Sequence, residues 1–162
     1  MVKEILMLGN PQLYEVCEEV RREELAQLPA LREDLRDTLL AFREKYGAGR
    51  AIAAPQIGVR KRVIFRMLDT PILFVNPVLE FPDGEQYEVL DDCMSFPGLY
   101  VRVLRHKRVV VHYRDEAWNE RRLALEGDMA ELIQHEYDHL DGILATMRAI
   151  DDKSLVMKGR VL

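Results

Sequence analysis

The sequence predicts an α+β fold with an antiparallel-leaning sheet, and three observations carry that prediction. Helical periodicity runs through residues 31–46 and again through about 128–140. Between these stretches lie short β-branched runs separated by turn residues, which read as strands. The order is therefore helix, strands, helix, with the strands grouped together.

Each element has a local reason. Asn10-Pro11 suits the start of a short helix, with Asn as cap and Pro in the first turn. Leu31, Leu35, Leu39, Phe42 and Tyr46 recur every three or four residues and form one apolar stripe, which Gly47 is placed to end. The stretch GAGRAIAAPQIGV, residues 47–59, reads as a loop whose small residues let backbone approach a partner closely. Arg62–Met67 and Ile72–Leu79 are expected strands around an Asp69-Thr70-Pro71 turn, and Asp83-Gly84 marks another turn. Leu99–Leu104, Arg108–Tyr113 and Arg121–Leu125 are further strands, the middle one carrying Val109-Val110-Val111. Gly127-Asp128 then opens a helix to about Leu140, with Asp128 favourable at its positive end.

Length and composition fit one domain spanning residues 1–162, with 48% apolar and 31% charged residues. The net charge of −5, without a Lys/Arg block, argues against nucleic acid as a direct partner. The N-terminus has too short an apolar stretch for a signal peptide and is too acidic for a transit peptide. No run is long enough to span a bilayer, so no membrane partner and a cytoplasmic location are expected. The two cysteines, Cys17 and Cys93, do not suggest a disulfide scaffold. Cys17, among helix-like residues, reads as a small buried hydrophobe.

The chemistry concentrates in QHEYDHLDG, residues 134–142. Residues four apart share a helix face, so His135 and His139 can present ring nitrogens to one ion. Glu136 is placed to reach a water on that ion without being a ligand. Against a chance match on a polar helix stands Cys93 in DDCMSFPG, a better third ligand than His106 or His112, whose strand setting favours local structural roles. Two His and one Cys leave a fourth tetrahedral position open, as catalysis requires. A metal lowers the pKa of bound water toward about 7, so it can attack a carbonyl carbon while Glu136 relays the proton. That chemistry is hydrolysis of an amide-like bond. The oxyanion needs further donors, for which the Gln56 side chain and the Met94 N–H are candidates.

Three segments resemble the peptide deformylases, and in the family's order. RAIAAPQIG, residues 50–58, is similar to GxGLAAxQxG; DDCMS, residues 91–95, to EGCLS; and QHEYDHLDG to QHExDHLxG. FPGLY at 96–100 and the opening ILMLGNPQLY extend the resemblance over most of the chain. It implies a deformylase-like fold, with mixed or antiparallel sheets packed around a central HExxH helix. It implies Cys93, His135 and His139 as ligands of one divalent ion, Fe²⁺ in the cell with Zn²⁺ or Ni²⁺ as substitutes. Glu136 is then the acid/base, and Gln56 with the Met94 N–H binds the formyl oxygen. The implied activity is removal of the N-formyl group from the N-terminal methionine of new polypeptides. The implied partner is an N-formylmethionyl peptide, and transient association with the ribosome stays open.

Departures from the pattern fall on the peptide-binding strip. Gly49-Arg50-Ala51-Ile52 replaces Gly-x-Gly-Leu, and Asp91-Asp92 replaces Glu-Gly. Asp91 keeps a carboxylate that can orient a neighbour on a shorter arm. Asp92 adds a side chain and charge, and would be strained if its φ were positive. An Arg50–Asp92 ion pair would restore a neutral strip, and without one the two charges would select a charged ligand; both readings stay open. Arg50, Ala51, Ile52, Asp92 and Leu132 are the expected substrate-binding residues, with Leu132 and Ile52 walling the pocket for the first side chain. The last twenty residues are expected to form an extended end packed on the body, at least as readily as a long helix. A different N-formyl or N-acyl substrate, a non-catalytic metal- or peptide-binding protein and a structural zinc module stay open as other readings.

Overall fold

The computed structural model describes residues 1–159. Its helices are α1, Leu28–Tyr46, and α2, Asp128–Leu140. The strands are β1, Ala51–Ala53; β2, Val63–Arg66; β3, Ile72–Glu80; β4, Gln86–Asp91; β5, Leu99–His106; β6, Arg108–Arg114; β7, Glu120–Glu126; and β8, Leu155–Met157. They form a five-stranded sheet in the order β1-β2-β3-β6-β7 and a three-stranded sheet in the order β4-β5-β8. Neighbouring strands pair antiparallel throughout both sheets.

The larger sheet is covered on both faces. Side chains alternate across a strand, so Val63 and Phe65 of β2 and Leu73 and Val75 of β3 join the cluster containing Leu35 and Leu39 of α1. Ile64 and Phe74 face the other way, into a cluster with Ala130, Ile133 and Leu140 of α2. Two buried faces explain why these strands read as continuous apolar runs rather than alternating ones. α2 also packs against β5, so it lies against both sheets, and nearly every residue from Ala130 to Leu140 is buried.

α1 ends as its sequence predicts, with Gly47 at φ +72° capping the last turn. Asn10 caps a single 3-10 turn, Pro11–Tyr14, through its side chain and Gln12 N–H. Cys17 is buried, as its apolar reading requires, but lies outside any helix or strand with its N–H on Leu140 O.

Three strands depart from the sequence reading. The stretch 47–59 is only partly loop: Ala51–Ala53 form β1, pairing Ile52 with Phe65, and Ala54–Ile57 form a 3-10 turn. One isoleucine between two alanines is too short a strand signal to stand out, and the edge of β2 supplies the pairing that makes it a strand. β4 lies in a stretch read only for its turn, and β8 in the extended tail. β8 pairs Leu99 with Met157, so the tail does pack on the body through residue 157. Residues 160–162 lie outside the described residues. No helix among the described residues is long and apolar enough to cross a membrane.

Candidate active site

α2 presents His135, Glu136 and His139 toward the short segment that follows β4. There the Cys93 sulfur lies 3.3 Å from His139 Nε2, and one ligand atom each from Cys93, His135 and His139 fall within 4.8 Å of one another. Atoms bound to one tetrahedral ion at about 2.0–2.3 Å stand about 3.5 Å apart, so this donor set fits a divalent metal of borderline softness. All three side chains are buried. Among the described residues this is the one group of histidine, cysteine and carboxylate side chains close enough to hold an ion. His112 is exposed beside Glu80 and His106 stacks on Phe81, so neither joins it.

The remaining motif residues hold these three in place. Asp91 Oδ2 lies 2.9 Å from His135 Nδ1, which leaves Nε2 free for the cluster. Arg105 Nη2 donates to the same oxygen at 2.9 Å and Nη1 to Asp138 at 2.7 Å. Arg148 donates to both Asp138 oxygens, at 2.6 and 3.0 Å. Burial alone would raise the Asp91 carboxyl, but His135 and Arg105 hold it well below the usual carboxylate range. Gln134 accepts from His106 N–H at 2.8 Å and donates to His106 O at 2.8 Å, locking α2 to the end of β5. Gly142, at φ +72°, closes the motif where a Cβ would stand 2.4 Å from Tyr14 O. Nearly every fixed letter of QHEYDHLDG thus has a contact that requires it.

Glu136 lies beside the cluster with Oε2 buried and without a hydrogen-bond partner. Burial pushes its carboxyl up to about 7, against the lowering effect of His135. A carboxyl with that affinity both takes and releases protons near neutrality. Gln56 is buried, its Oε1 accepting from Ala53 N–H at 2.9 Å. That bond turns Nε2 toward Cys93 Sγ at 3.6 Å and Ser95 Oγ at 3.1 Å.

A pocket of about 590 Å³ opens over this floor. Cys93, Met94, His135 and Glu136 line its reactive end, and Phe42, Tyr46 and Leu132 supply apolar surface. Arg50, Ala51 and Asp92 also line it. Ile52 does not. It is fully buried with Leu35, Leu39 and Phe65, because strand alternation turns it from the pocket into the core. The Arg50–Asp92 ion pair is replaced by two others: Arg50 donates to Glu131 at 2.8 Å, and Lys158 to Asp92 at 2.8 Å. Asp92 has no positive φ, so it carries none of the left-handed strain a glycine position would impose.

Arg105, Glu131 and Lys158 were not singled out from sequence. Arg105 had a signal, since it continues the inward-facing parity of Val101 and Val103, where a charge needs a buried partner. Lys158 had none, because its partner lies 66 residues away.

Comparison with known proteins fits this geometry. A family model described as polypeptide deformylase matches residues 2–154. Peptide deformylase 1 of Prochlorococcus marinus is 39% identical over 174 residues, covering 99% of this chain and 87% of that protein. The peptide deformylase of Treponema pallidum is 41% identical over 154 residues, with 93% and 89% covered. Among solved structures, a peptide deformylase from Thermotoga maritima aligns with a TM-score of 0.85 at 28% identity, covering 93% of this chain and 99% of that one. One from Synechococcus elongatus, in complex with actinonin, aligns with a TM-score of 0.82 at 32% identity, covering 93% and 80%. Agreement in sequence and in architecture over nearly the whole chain leads to one conclusion: the chain belongs to the polypeptide deformylase family.

Proposed function

We propose that this chain is a metal-dependent hydrolase that removes the formyl group from the N-terminal methionine of nascent polypeptides and releases formate. The observation that carries the reading is the buried Cys93-His135-His139 cluster, set beside a partnerless Glu136 oxygen at the floor of a pocket with apolar surface. Cys93, His135 and His139 would hold a divalent ion, which would supply Lewis-acid polarisation and a water nucleophilic near neutral pH. Fe²⁺ is the ion carried over from the family pattern, with Zn²⁺ and Ni²⁺ as substitutes.

The chain's own residues divide the remaining work. Leu132, with Phe42 and Tyr46, receives the methionine side chain. Gln56 Nε2, whose contact to the Cys93 sulfur is long, and the Met94 main-chain N–H donate to the oxygen of the formyl group as it gains charge. Glu136 takes a proton from the attacking water as the new C–O bond forms. It returns that proton to the amide nitrogen as the C–N bond breaks, leaving a free amine and formic acid, which gives its remaining proton to solvent as formate. A nascent-chain substrate supports a cytoplasmic location and leaves transient contact with the ribosome open.

The test is formate release from a formyl-Met-Ala peptide by protein purified without oxygen and loaded with Fe²⁺, beside Zn²⁺ and Ni²⁺ samples. Oxygen is excluded because an iron-bound thiolate is open to oxidation. Turnover is expected with each ion. A fully loaded protein that binds the peptide and releases no formate would favour the binding-protein reading instead.

A further inference from the structure

Asp92 and Lys158 meet at the pocket from opposite ends of the small sheet's sequence. Both line the cavity, and Lys158 Nζ donates to Asp92 Oδ2 at 2.8 Å. Lys158 is held there by more than its charge. Its backbone N–H donates to Gly98 O at 2.9 Å, and its ammonium stands 4.6 Å from the centre of the Tyr100 ring. β8, which ends one residue earlier, is paired to β5. The Asp92 and Lys158 side chains are 45% and 29% exposed, so both charges remain open to a ligand. Asp92 adjoins Cys93, and a peptide whose formyl group reaches the cluster carries its next residues past the lining. The other cation lining the pocket, Arg50, is taken by Glu131.

We infer that Lys158 is a specificity-determining residue: by neutralising the Asp92 carboxylate, it allows the pocket to accept peptides with an acidic side chain after the formylmethionine. The inference rests on the deformylase reading. An uncompensated carboxylate at this position repels an acidic side chain and attracts a basic one, and a partly exposed setting weakens that effect without abolishing it. The tail strand thereby contributes to substrate choice, and a chain that carries Asp92 needs a cation delivered to the same place.

The experiment compares formyl-Met-Glu-Ala with formyl-Met-Lys-Ala on four proteins: wild type, Lys158→Met, Lys158→Arg and the double variant Asp92→Asn/Lys158→Met. Methionine keeps an apolar stem over Tyr100 while removing the charge. Two quantities are read: kcat/KM from formate release, and dissociation constants on zinc-loaded protein carrying Glu136→Gln to suppress turnover. Lys158→Met is expected to shift the preference toward the lysine peptide by about fivefold at low salt, mainly through KM and Kd. Lys158→Arg and the double variant are expected to return close to the wild-type ratio. A tail that served only as an anchor would weaken both peptides equally, and an unchanged ratio in Lys158→Met overturns the inference. So does a shift that persists in the double variant, since Asp92 would then not be its source. If wild type binds both peptides without releasing formate, the deformylase reading fails while the Kd ratios still decide this one. Failure to bind either peptide overturns the inference directly.

Discussion

Asp91 and Asp92 are consecutive residues, and the fold uses their charges in different ways. Asp91 is 5% exposed and shares one oxygen between His135 and Arg105, each at 2.9 Å. Asp92 is 45% exposed and meets a single lysine, Lys158. Strand alternation sets the difference: Asp91 ends β4 facing inward, and Asp92 begins the segment that carries Cys93. A buried carboxylate that loses a partner is left with an uncompensated charge, whereas a rim carboxylate that loses one regains water. Structure and catalysis should therefore depend on the buried end, and substrate preference on the rim.

The largest expected break is at the buried end. Glu136→Ala should keep the metal and lower kcat by about 10³-fold, the middle of the range for a positioned proton carrier. Metal analysis and formate release on the same sample check both parts, and activity near wild type would remove Glu136 from its role. Cys93→Ser should reduce bound metal at equal protein concentration, since a serine hydroxyl is a harder and poorer ligand than a thiolate. Unchanged metal content and activity would exclude Cys93 as a ligand.

Stability gives the next contrast. Arg105→Met removes the one cation shared by Asp91 and Asp138, whose side chains are 5% and 9% exposed. The expected loss is about 3 kcal/mol, the lower end for a broken buried pair, because His135 and Arg148 stay in place. Denaturant unfolding of the metal-free protein measures it without interference from ligation. Gly142→Ala should cost about 2–3 kcal/mol by the same measurement, from a methyl forced onto Tyr14 O and a left-handed φ that alanine adopts poorly. A loss under about 1 kcal/mol would mean that the chain entering from Tyr14 yields easily.

What the sequence made legible follows the same division. The two helices, five of the eight strands and the cluster residues could be read because their signals are local: apolar periodicity, β-branched runs and a four-residue spacing between histidines. β1 and β8 are three residues each and exist through pairing with β2 and β5, so their composition says little. Ile52 was misplaced for a related reason, since its direction depends on β1 being a strand at all. The pairs Arg50–Glu131 and Lys158–Asp92 join residues 81 and 66 apart, and charge alone suggested Arg50 with Asp92 instead. Opposite charges in a sequence identify candidates, and the sheet decides which ones meet.

The smallest expected effect is the most discriminating. Lys158→Met should change stability by less than about 1 kcal/mol, because the ion pair it breaks is partly solvated and the freed carboxylate is rehydrated. Set beside Arg105→Met in identical buffer, it compares a rim cation with one carboxylate partner at 2.8 Å and a buried cation with two, at 2.9 and 2.7 Å. Raising salt should diminish any contribution from Lys158 and leave most of that from Arg105, since mobile ions screen exposed charges far more than buried ones. If Lys158→Met proved as costly as Arg105→Met, the rim pair would be anchoring β8 and closing the pocket wall. A small, salt-sensitive cost would instead leave that charge available for discriminating between substrates, which a contact needed to hold the fold could not vary freely to do.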